Sequence, residues 1–97
     1  MRDVPEHHRY EAELDGKQVG LTAYRLIGDA VVFTHTEVDP SAEGHGVGGA
    51  LAQYALDDVR ARGLAVVPLC PFIKGWIGKH PDYTDLVYGA PASTARD

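Results

Sequence analysis

The sequence EGHGVGGALAQYALDDV, from Glu43 to Val59, carries the strongest structural signal in the chain. Past its glycines an apolar residue stands at every fourth position, which lays one apolar stripe along a helix. Gly63 follows as a C-terminal stop, after a last turn in which arginines suit the negative end of the helix dipole. The residues of the predicted stripe are Val47, Leu51, Ala55 and Val59.

The glycines at the start of this helix match known phosphate-binding patterns only in part. Gly44, Gly46 and Gly49 satisfy the dinucleotide pattern G-x-G-x-x-G, but no acidic residue follows between positions 59 and 81 to bind a ribose. The P-loop pattern fails because no Lys followed by Ser or Thr comes after Gly48. Glycines still let the backbone approach a phosphate, and the free N–H groups of the first helical turn point at it. We therefore predict a phosphate cradle here and not a mobile linker.

Three predicted strands precede the loop. Alternating and β-branched residues indicate strands at Arg9–Leu14, Lys17–Leu26 and Ala30–Val38. Asp-Gly and Gly-Asp pairs separate them, so two tight turns and an antiparallel meander are expected. A period of two in the third strand is expected to place four side chains on one face, namely Val31, Phe33, His35 and Glu37.

The segments after the first helix complete the predicted fold. Leu64–Leu69 is predicted to be a short buried strand, and Pro71 opens a second helix that ends at Pro81. A last short strand at Asp82–Tyr88 and a flexible tail at Gly89–Asp97 are expected. The buried side of the second helix is expected to carry Phe72, Ile73, Trp76 and Ile77.

Together these elements predict an α+β (α/β) fold. An antiparallel three-stranded meander is followed by a helix, a strand and a short helix, and the helices pack on a single-layer sheet. We expect a single domain over residues 1–97, with an ordered core at residues 8–88.

Composition and charge limit the partners of the chain. Of 97 residues, 44% are apolar and 24% are charged, as in an ordinary globular protein. Nine basic and fourteen acidic residues give a charge of -5 without a basic cluster, so nucleic acid is not an expected partner. The first thirty residues lack the apolar segment of a signal peptide or membrane span, which favours a cytoplasmic location. The single cysteine, Cys70, excludes an internal disulfide, and no metal site is expected.

The stretch VDPSAEGHGVGGAL, from Val38 to Leu51, resembles motif A of the GNAT acetyltransferases. In that motif a strand that ends in a V-x-P turn leads into Q/R-x-x-G-x-G/A and a helix, and Gly46 and Gly48 occupy its two small positions. The motifs HTEV, VPLCPF and HPDY, together with the loop, are similar to the minimal GNAT-like N-acetyltransferases of about a hundred residues. This resemblance extends from Arg9 to Val87.

The resemblance implies acetyl-CoA as the cofactor and a small or peptide amine as the acceptor. The pyrophosphate is expected on the amides of the loop, the pantetheine arm along the end of the third strand, and the acyl group next to C-P-F. Glu43 stands where larger GNATs usually carry Gln or Arg, and a carboxylate repels a pyrophosphate, so backbone donors must carry the affinity. The implied cofactor-binding residues are Glu37, Val38, Glu43, Gly44, His45, Gly46, Val47, Gly48, Gly49, Cys70 and Phe72.

Cys70 and His35 are the catalytic candidates. A lone cysteine at a strand end is commonly a small buried hydrophobe, but Cys70 begins a predicted helix, where N–H groups favour a thiolate. The resemblance also places it beside the acyl group, so the acetyl group either passes through Cys70 or moves directly to the amine. Imidazole titrates near neutral pH, so His35 is expected to take a proton from the amine or to pair with Cys70, and the alternative is a merely packed residue. Tyr83, a water or Cys70 is expected to protonate the departing thiolate, since the indole of Trp76 is no acid.

A second interpretation is a CoA-binding or regulatory module that retains the phosphate cradle but catalyses no reaction. The chain lacks the N-terminal helices with which larger GNATs build an acceptor site, has no Tyr on its last helix and carries Glu43 in the cradle. For an enzyme, the net negative charge favours a cationic amine or basic peptide as the acceptor.

Overall fold

A computed structural model describes residues 1–42 and 44–89 of the chain. Five strands form one sheet in the order β1-β2-β3-β4-β5; the first four are antiparallel neighbours, and β5 joins β4 in parallel. The expected fold class, a meander followed by a helix, a strand and a short helix, is confirmed. The elements are β1 at Arg2–Val4, β2 at Arg9–Leu14, β3 at Lys17–Ile27, β4 at Ala30–Val38, α1 at Val47–Ala61, β5 at Ala65–Pro68 and α2 at Pro71–Lys79.

The helix α1 buries the apolar stripe that its sequence predicts. Every residue of the stripe is buried, and burial of each Val or Leu side chain contributes about 1.5–3 kcal/mol to folding. The helix ends at Ala61, and Gly63 follows with a φ of +70°, a conformation that favours glycine. Both helices and the sheet share one apolar cluster, whose largest fully buried members are Tyr10, Phe33, Leu51, Leu56 and Ile73.

The strand β1 was not expected from the sequence and lies before the predicted ordered core. Its residue Asp3 accepts a hydrogen bond of 2.7 Å from the hydroxyl of Tyr24 and another of 2.7 Å from the guanidinium of Arg62. Arg62 also lies 3.0 Å from the carboxylate of Asp58, which accepts a hydrogen bond from Tyr10. This network of charges and phenols joins the first strand to the end of α1.

A β-bulge in β4 contradicts the predicted face of its second half. Ala23 on β3 pairs with His35 while Tyr24 pairs with Phe33, so Thr34 is left without a partner. An extra residue in one strand reverses the side-chain alternation beyond it. Val31 and Phe33 are buried as expected, whereas His35 and Glu37 lie exposed on the opposite face.

The segment after α2 is a 3-10 helix at Pro81–Leu86, and the predicted strand at Asp82–Tyr88 is wrong. Proline suits the first position of a helix because it has no N–H to satisfy there, and Asp82 follows in the first turn. Arg60 donates to the carboxylate of Asp85 and to the carbonyl of Asp82, which holds the segment against α1. Within the described residues, the β pairing of this region is an isolated bridge between Val66 and Val87.

Two predictions fall outside the described part of the chain: Glu43 as a cofactor-binding residue, and the tail beyond Gly89. No helix in residues 1–42 and 44–89 has both the length and the hydrophobicity to cross a membrane. Within the same ranges, no three metal-ligating side chains cluster closely enough to hold an ion.

Candidate functional site

The two parallel strands β4 and β5 separate at the site. Their pairing ends where Phe33 meets Pro68, and β4 continues for five residues beyond that point. The N–H of Cys70 donates to the carbonyl of Phe33 at 2.9 Å, which turns the chain away from the sheet and into α2. The second half of β4 is therefore free of β5, and an opening forms beside it.

A groove of about 440 Å³ lies at this opening, between the end of β4, the glycine loop and the starts of both helices. Seven of the predicted cofactor residues line it, and Thr36 and Ala42, which the sequence did not single out, line it as well. The complete lining is Thr36, Val38, Ala42, Gly44, Gly46, Val47, Gly48, Gly49 and Phe72.

The start of α1 presents backbone donors to this groove. Gly46 is the N-cap residue and adopts a φ of +71°, and among residues 1–42 and 44–89 no side chain caps this end of the helix. The first N–H to bond back into the helix is that of Ala50, which donates to the carbonyl of Gly46 at 3.0 Å. The N–H groups of Gly48 and Gly49 have no partner among the residues that the structure describes. Free amides at a positive helix end bind phosphate oxygens, so the cradle fits a pyrophosphate.

Gly48 is the position where the groove tolerates no side chain without movement. A Cβ atom built there would lie 2.9 Å from Cζ of Phe72 and 3.5 Å from Cγ2 of Val38. The ring of Phe72 thus crosses from α2 to the start of α1 and forms a wall of the groove. Phe72 was expected on the buried side of α2, but it is 41% exposed, and only Ile73 and Ile77 of the predicted set are fully buried.

Cys70 lies at the N-cap of α2, behind the groove wall. Its side chain is only 2% exposed, and its thiol donates a hydrogen bond of 3.2 Å to the hydroxyl of Thr36. The same hydroxyl lies 2.9 Å from that of Thr22, which is fully buried on β3. Thr36 therefore stands between the groove and the thiol. This arrangement depends on the bulge, because the unbroken alternation would have turned Thr36 away.

His35 does not pair with Cys70, which corrects one sequence-based expectation. The Nε2 atom of His35 lies 2.7 Å from a carboxylate oxygen of Glu37, and both side chains project from the exposed face of β4. A second groove of about 370 Å³ lies at the end of β4, with Glu37, Val38 and Asp39 in its lining, and His35 lines neither groove. Val38 is common to both grooves.

Two other candidates lie away from the first groove. The hydroxyl of Tyr83 donates to Asp57 on α1 at 2.7 Å, and this hydrogen bond, together with burial, raises the pKa of the phenol. His45 is exposed in the loop and does not contribute to the groove lining. The phenol of Tyr83 is therefore not at the groove, where the acid that protonates the departing thiolate was expected.

Residues 9–86 match the family of GCN5-related N-acetyl-transferases. The chain belongs to this family. The groove brings together three features of the chain: the glycine loop, the separation of β4 from β5 and the C-P-F segment. Curated protein sequences include no match to this chain.

Two solved structures show the same fold. A GCN5-like putative N-acetyltransferase from Staphylococcus aureus is 21% identical, with a TM-score of 0.67 over 93% of this chain and 90% of that one. The ribosomal-protein-S18-alanine N-acetyltransferase from Escherichia coli is 24% identical, with a TM-score of 0.58 over 60% of this chain. The match spans 38% of the length of the Escherichia coli enzyme. Both likenesses concern the fold alone.

Proposed function

We propose that this protein transfers an acetyl group from acetyl-CoA to an amine. The observation that carries the proposal is the groove of about 440 Å³, in which the glycine-rich start of α1 faces Phe72 and the separated end of β4. The groove offers amides for phosphates at one side and an apolar and hydroxyl lining at the other. Family membership supplies the reaction class.

The proposed cofactor site uses backbone groups more than side chains. Acetyl-CoA, when bound, supplies an activated acetyl thioester. The amides from Gly44 to Gly49 would bind its pyrophosphate, because helix N-termini favour anions. Beyond Phe33, β4 pairs with β3 on one side and, in the described part of the chain, with no strand on the other. This open edge at Glu37 and Val38 would bind the pantetheine arm, as a further strand binds at the edge of a sheet. Phe72 would cover the arm and limit the access of water.

The proposed acceptor approaches from the exposed face of β4. His35 would take the proton of the amine, and Glu37, 2.7 Å away, would orient the imidazole. Asp39 adds negative charge to the second groove, which Glu37 also lines, since hydrogen bonds from the hydroxyl and the N–H of Ser41 lower the pKa of its carboxyl. Lys17 lies 3.8 Å from Asp39 at the margin. These charges support a cationic amine as the acceptor.

Burial of the Cys70 thiol and its hydrogen bond to Thr36 support direct transfer over a covalent route. In the covalent route the sulfur would attack the acetyl carbon, the bond from that carbon to the sulfur of CoA would break, and the thiol proton would leave with CoA. Intact mass after incubation with acetyl-CoA separates the two routes. Direct transfer predicts no acetyl adduct, and an adduct that is lost in Cys70→Ala would establish the covalent route instead.

The test of the function combines calorimetry with acetyl-CoA and thiol release over a panel of amines. Acetyl-CoA should bind, and a cationic amine should give turnover that falls about 10²- to 10⁴-fold in His35→Gln, the range for loss of a general base. His7→Gln, an exposed histidine on the N-terminal 3-10 helix, is the matched control and should keep full activity. Absence of acetyl-CoA binding would contradict the proposal.

A second candidate function is a CoA-binding module without turnover. Tyr83 is held by Asp57, and no phenol lines the groove within the part of the chain that the structure describes. A departing thiolate would then take its proton from a water or from Cys70 through Thr36, and a slow reaction would result. Tight binding of CoA without thiol release from any amine in the panel would favour the module.

A further inference from the structure

The side chain of Trp76 is held in a fixed orientation at the edge of the groove. Its indole stacks on the imidazole of His80, with ring centroids 3.8 Å apart and planes 16° from parallel. The Nδ1 atom of His80 lies 2.8 Å from the carbonyl oxygen of Trp76, which fixes the imidazole in turn. The ring of Tyr83 meets the indole edge to face at 5.0 Å. Packing on these two neighbours leaves the indole little freedom to rotate.

This orientation brings the indole nitrogen of Trp76 to the start of α1. The Nε1 atom lies 3.6 Å from the point where Gly49 would carry a Cβ atom. Among the described residues, no other atom lies within 4 Å of that point, apart from the chain neighbours of Gly49 and the nearby backbone of α1. Gly49 itself lines the groove. Among residues 1–42 and 44–89, Nε1 has no hydrogen-bond partner. A half-buried donor therefore stands beside the free amides of the cradle.

The geometry points to Trp76 as a side-chain donor that extends the phosphate cradle toward α2. The inference rests on the proposed function, because it concerns the same cofactor. The indole N–H only donates, and hydrogen bonds to charged oxygens are stronger than those between neutral groups. The stretch from Pro40 to Ala50 contains neither Lys nor Arg, so the loop itself offers the phosphates no lysine or arginine side chain.

The role makes Trp76 a specificity-determining residue. A donor placed at the phosphates strengthens binding of CoA and contributes nothing to pantetheine, which has the same arm and thiol but no phosphate. A purely structural Trp76 would instead affect both ligands alike, through the position of α2 and Phe72. The ratio of the two affinities therefore distinguishes the donor from a packing residue.

The first experiment compares the wild-type protein with Trp76→Phe by calorimetry. Phenylalanine keeps an aromatic ring against His80 and removes the N–H. We expect CoA to bind about tenfold more weakly to the variant, the size of effect for one lost hydrogen bond to a charged group. Binding of pantetheine should be unchanged. Equal CoA affinity in the two proteins, or equal losses for both ligands, would overturn the inference.

A second variant keeps the indole and covers its N–H. In Gly49→Ala the new methyl would lie 3.6 Å from Nε1, an ordinary contact, and alanine in a helix stabilises the fold relative to glycine. CoA affinity should fall without any loss of thermal stability. If Trp76→Phe and Gly49→Ala remove the same contact, the double variant should bind CoA no more weakly than the weaker-binding single variant. Additive losses of CoA affinity would contradict the shared contact.

The fluorescence of the wild-type protein gives an independent signal, because Trp76 is the sole tryptophan. Saturable quenching or a spectral shift is expected with CoA and not with the same concentrations of pantetheine. An emission spectrum that is insensitive to bound CoA would count against the contact. Failure of the wild-type protein to bind CoA at all would contradict the proposed function itself, whereas normal binding by Trp76→Phe would contradict only this inference.

Discussion

The thiol of Cys70 donates a hydrogen bond of 3.2 Å to the hydroxyl of Thr36. Because Thr36 lines the groove and also lies 2.9 Å from the buried hydroxyl of Thr22, three polar side chains run from the groove into the core. They come from α2, β4 and β3. The position of the thiol thus depends on the register of two strands as well as on its own helix.

Substitution of the threonine pair should show a marked departure from additivity. Thr36→Val leaves the fully buried hydroxyl of Thr22 without its partner and should cost about 1–3 kcal/mol of stability, the cost of an unsatisfied buried group. Valine has nearly the shape of threonine, so Thr22→Val with Thr36→Val should cost less than Thr36→Val alone. Urea unfolding of Thr22→Val, Thr36→Val and the double variant measures these losses of stability. Additive losses would show that the two hydroxyls do not depend on each other.

A methyl group at Gly48 should weaken cofactor binding without unfolding the protein. The ring of Phe72 is half-exposed and must swing by a few tenths of an ångström or more to admit the new Cβ, which narrows or distorts the groove. We expect Gly48→Ala to bind acetyl-CoA at least about tenfold more weakly by calorimetry, a loss of about 1.4 kcal/mol.

The matched control for that prediction is Gly75→Ala on α2. A Cβ at this position meets nothing within 4 Å, and the residue does not line the groove. The control should leave acetyl-CoA affinity unchanged and raise the stability by about 0.5–1 kcal/mol, because alanine is the better helix former. Equal affinity of Gly48→Ala and the control would show that Phe72 accommodates the methyl without consequence for the ligand.

The protein should lose stability at alkaline pH through two buried phenols. Burial raises the pKa of Tyr10 and of Tyr24 above the usual range, and their hydrogen bonds to Asp58 and Asp3 add to the effect. A pKa that is higher in the folded state contributes stability that is complete below the unfolded value of about 10 and is lost as the pH rises above it. Unfolding free energy should therefore decline above about pH 10.

Phenylalanine variants test this dependence by urea unfolding between pH 8 and pH 11. Tyr10→Phe should be less stable at pH 8 by about 1.5–3 kcal/mol, the range for a hydrogen bond to a charged group, and should decline less steeply above pH 10. Tyr88→Phe, at an exposed position, should follow the wild-type profile. An alkaline slope that is the same in all three proteins would assign the loss to other groups.

The parts of the fold that depend on local pattern were predictable from the sequence. The stripe of α1, the turns of the meander and the proline that opens α2 each follow from spacing or from a residue with a fixed backbone preference. The glycine loop was predictable for the same reason. Its position before α1 was enough to predict most of the residues that line the groove.

The errors arose where distant pairing decides the structure. The bulge at Thr34 depends on how β4 pairs with β3, and it turns His35 away from Cys70 and Thr36 toward it. The strand β1 is short and charged, and it is held by Asp3 through partners on β3 and at the end of α1. Neither the bulge nor β1 produces a periodic pattern in the sequence around it.

The 3-10 helix at Pro81–Leu86 was misassigned for a different reason. Its strand-like composition concealed a helix-start signal, since Pro81 and Asp82 occupy the first turn. Trp76 illustrates the remaining difficulty: helical spacing assigns it to the core, and only the packing against His80 shows that its N–H reaches Gly49.

The most direct test of the account is an amide proton–nitrogen correlation spectrum recorded while acetyl-CoA is added. The central claim is that the start of α1 binds the pyrophosphate through its backbone. The signals of Gly46, Gly48 and Gly49 should shift by the largest amounts, with saturation at the stoichiometry of one site, since amides that bind phosphate oxygens change their environment most. Saturable binding that leaves these three amides unshifted would contradict the claim.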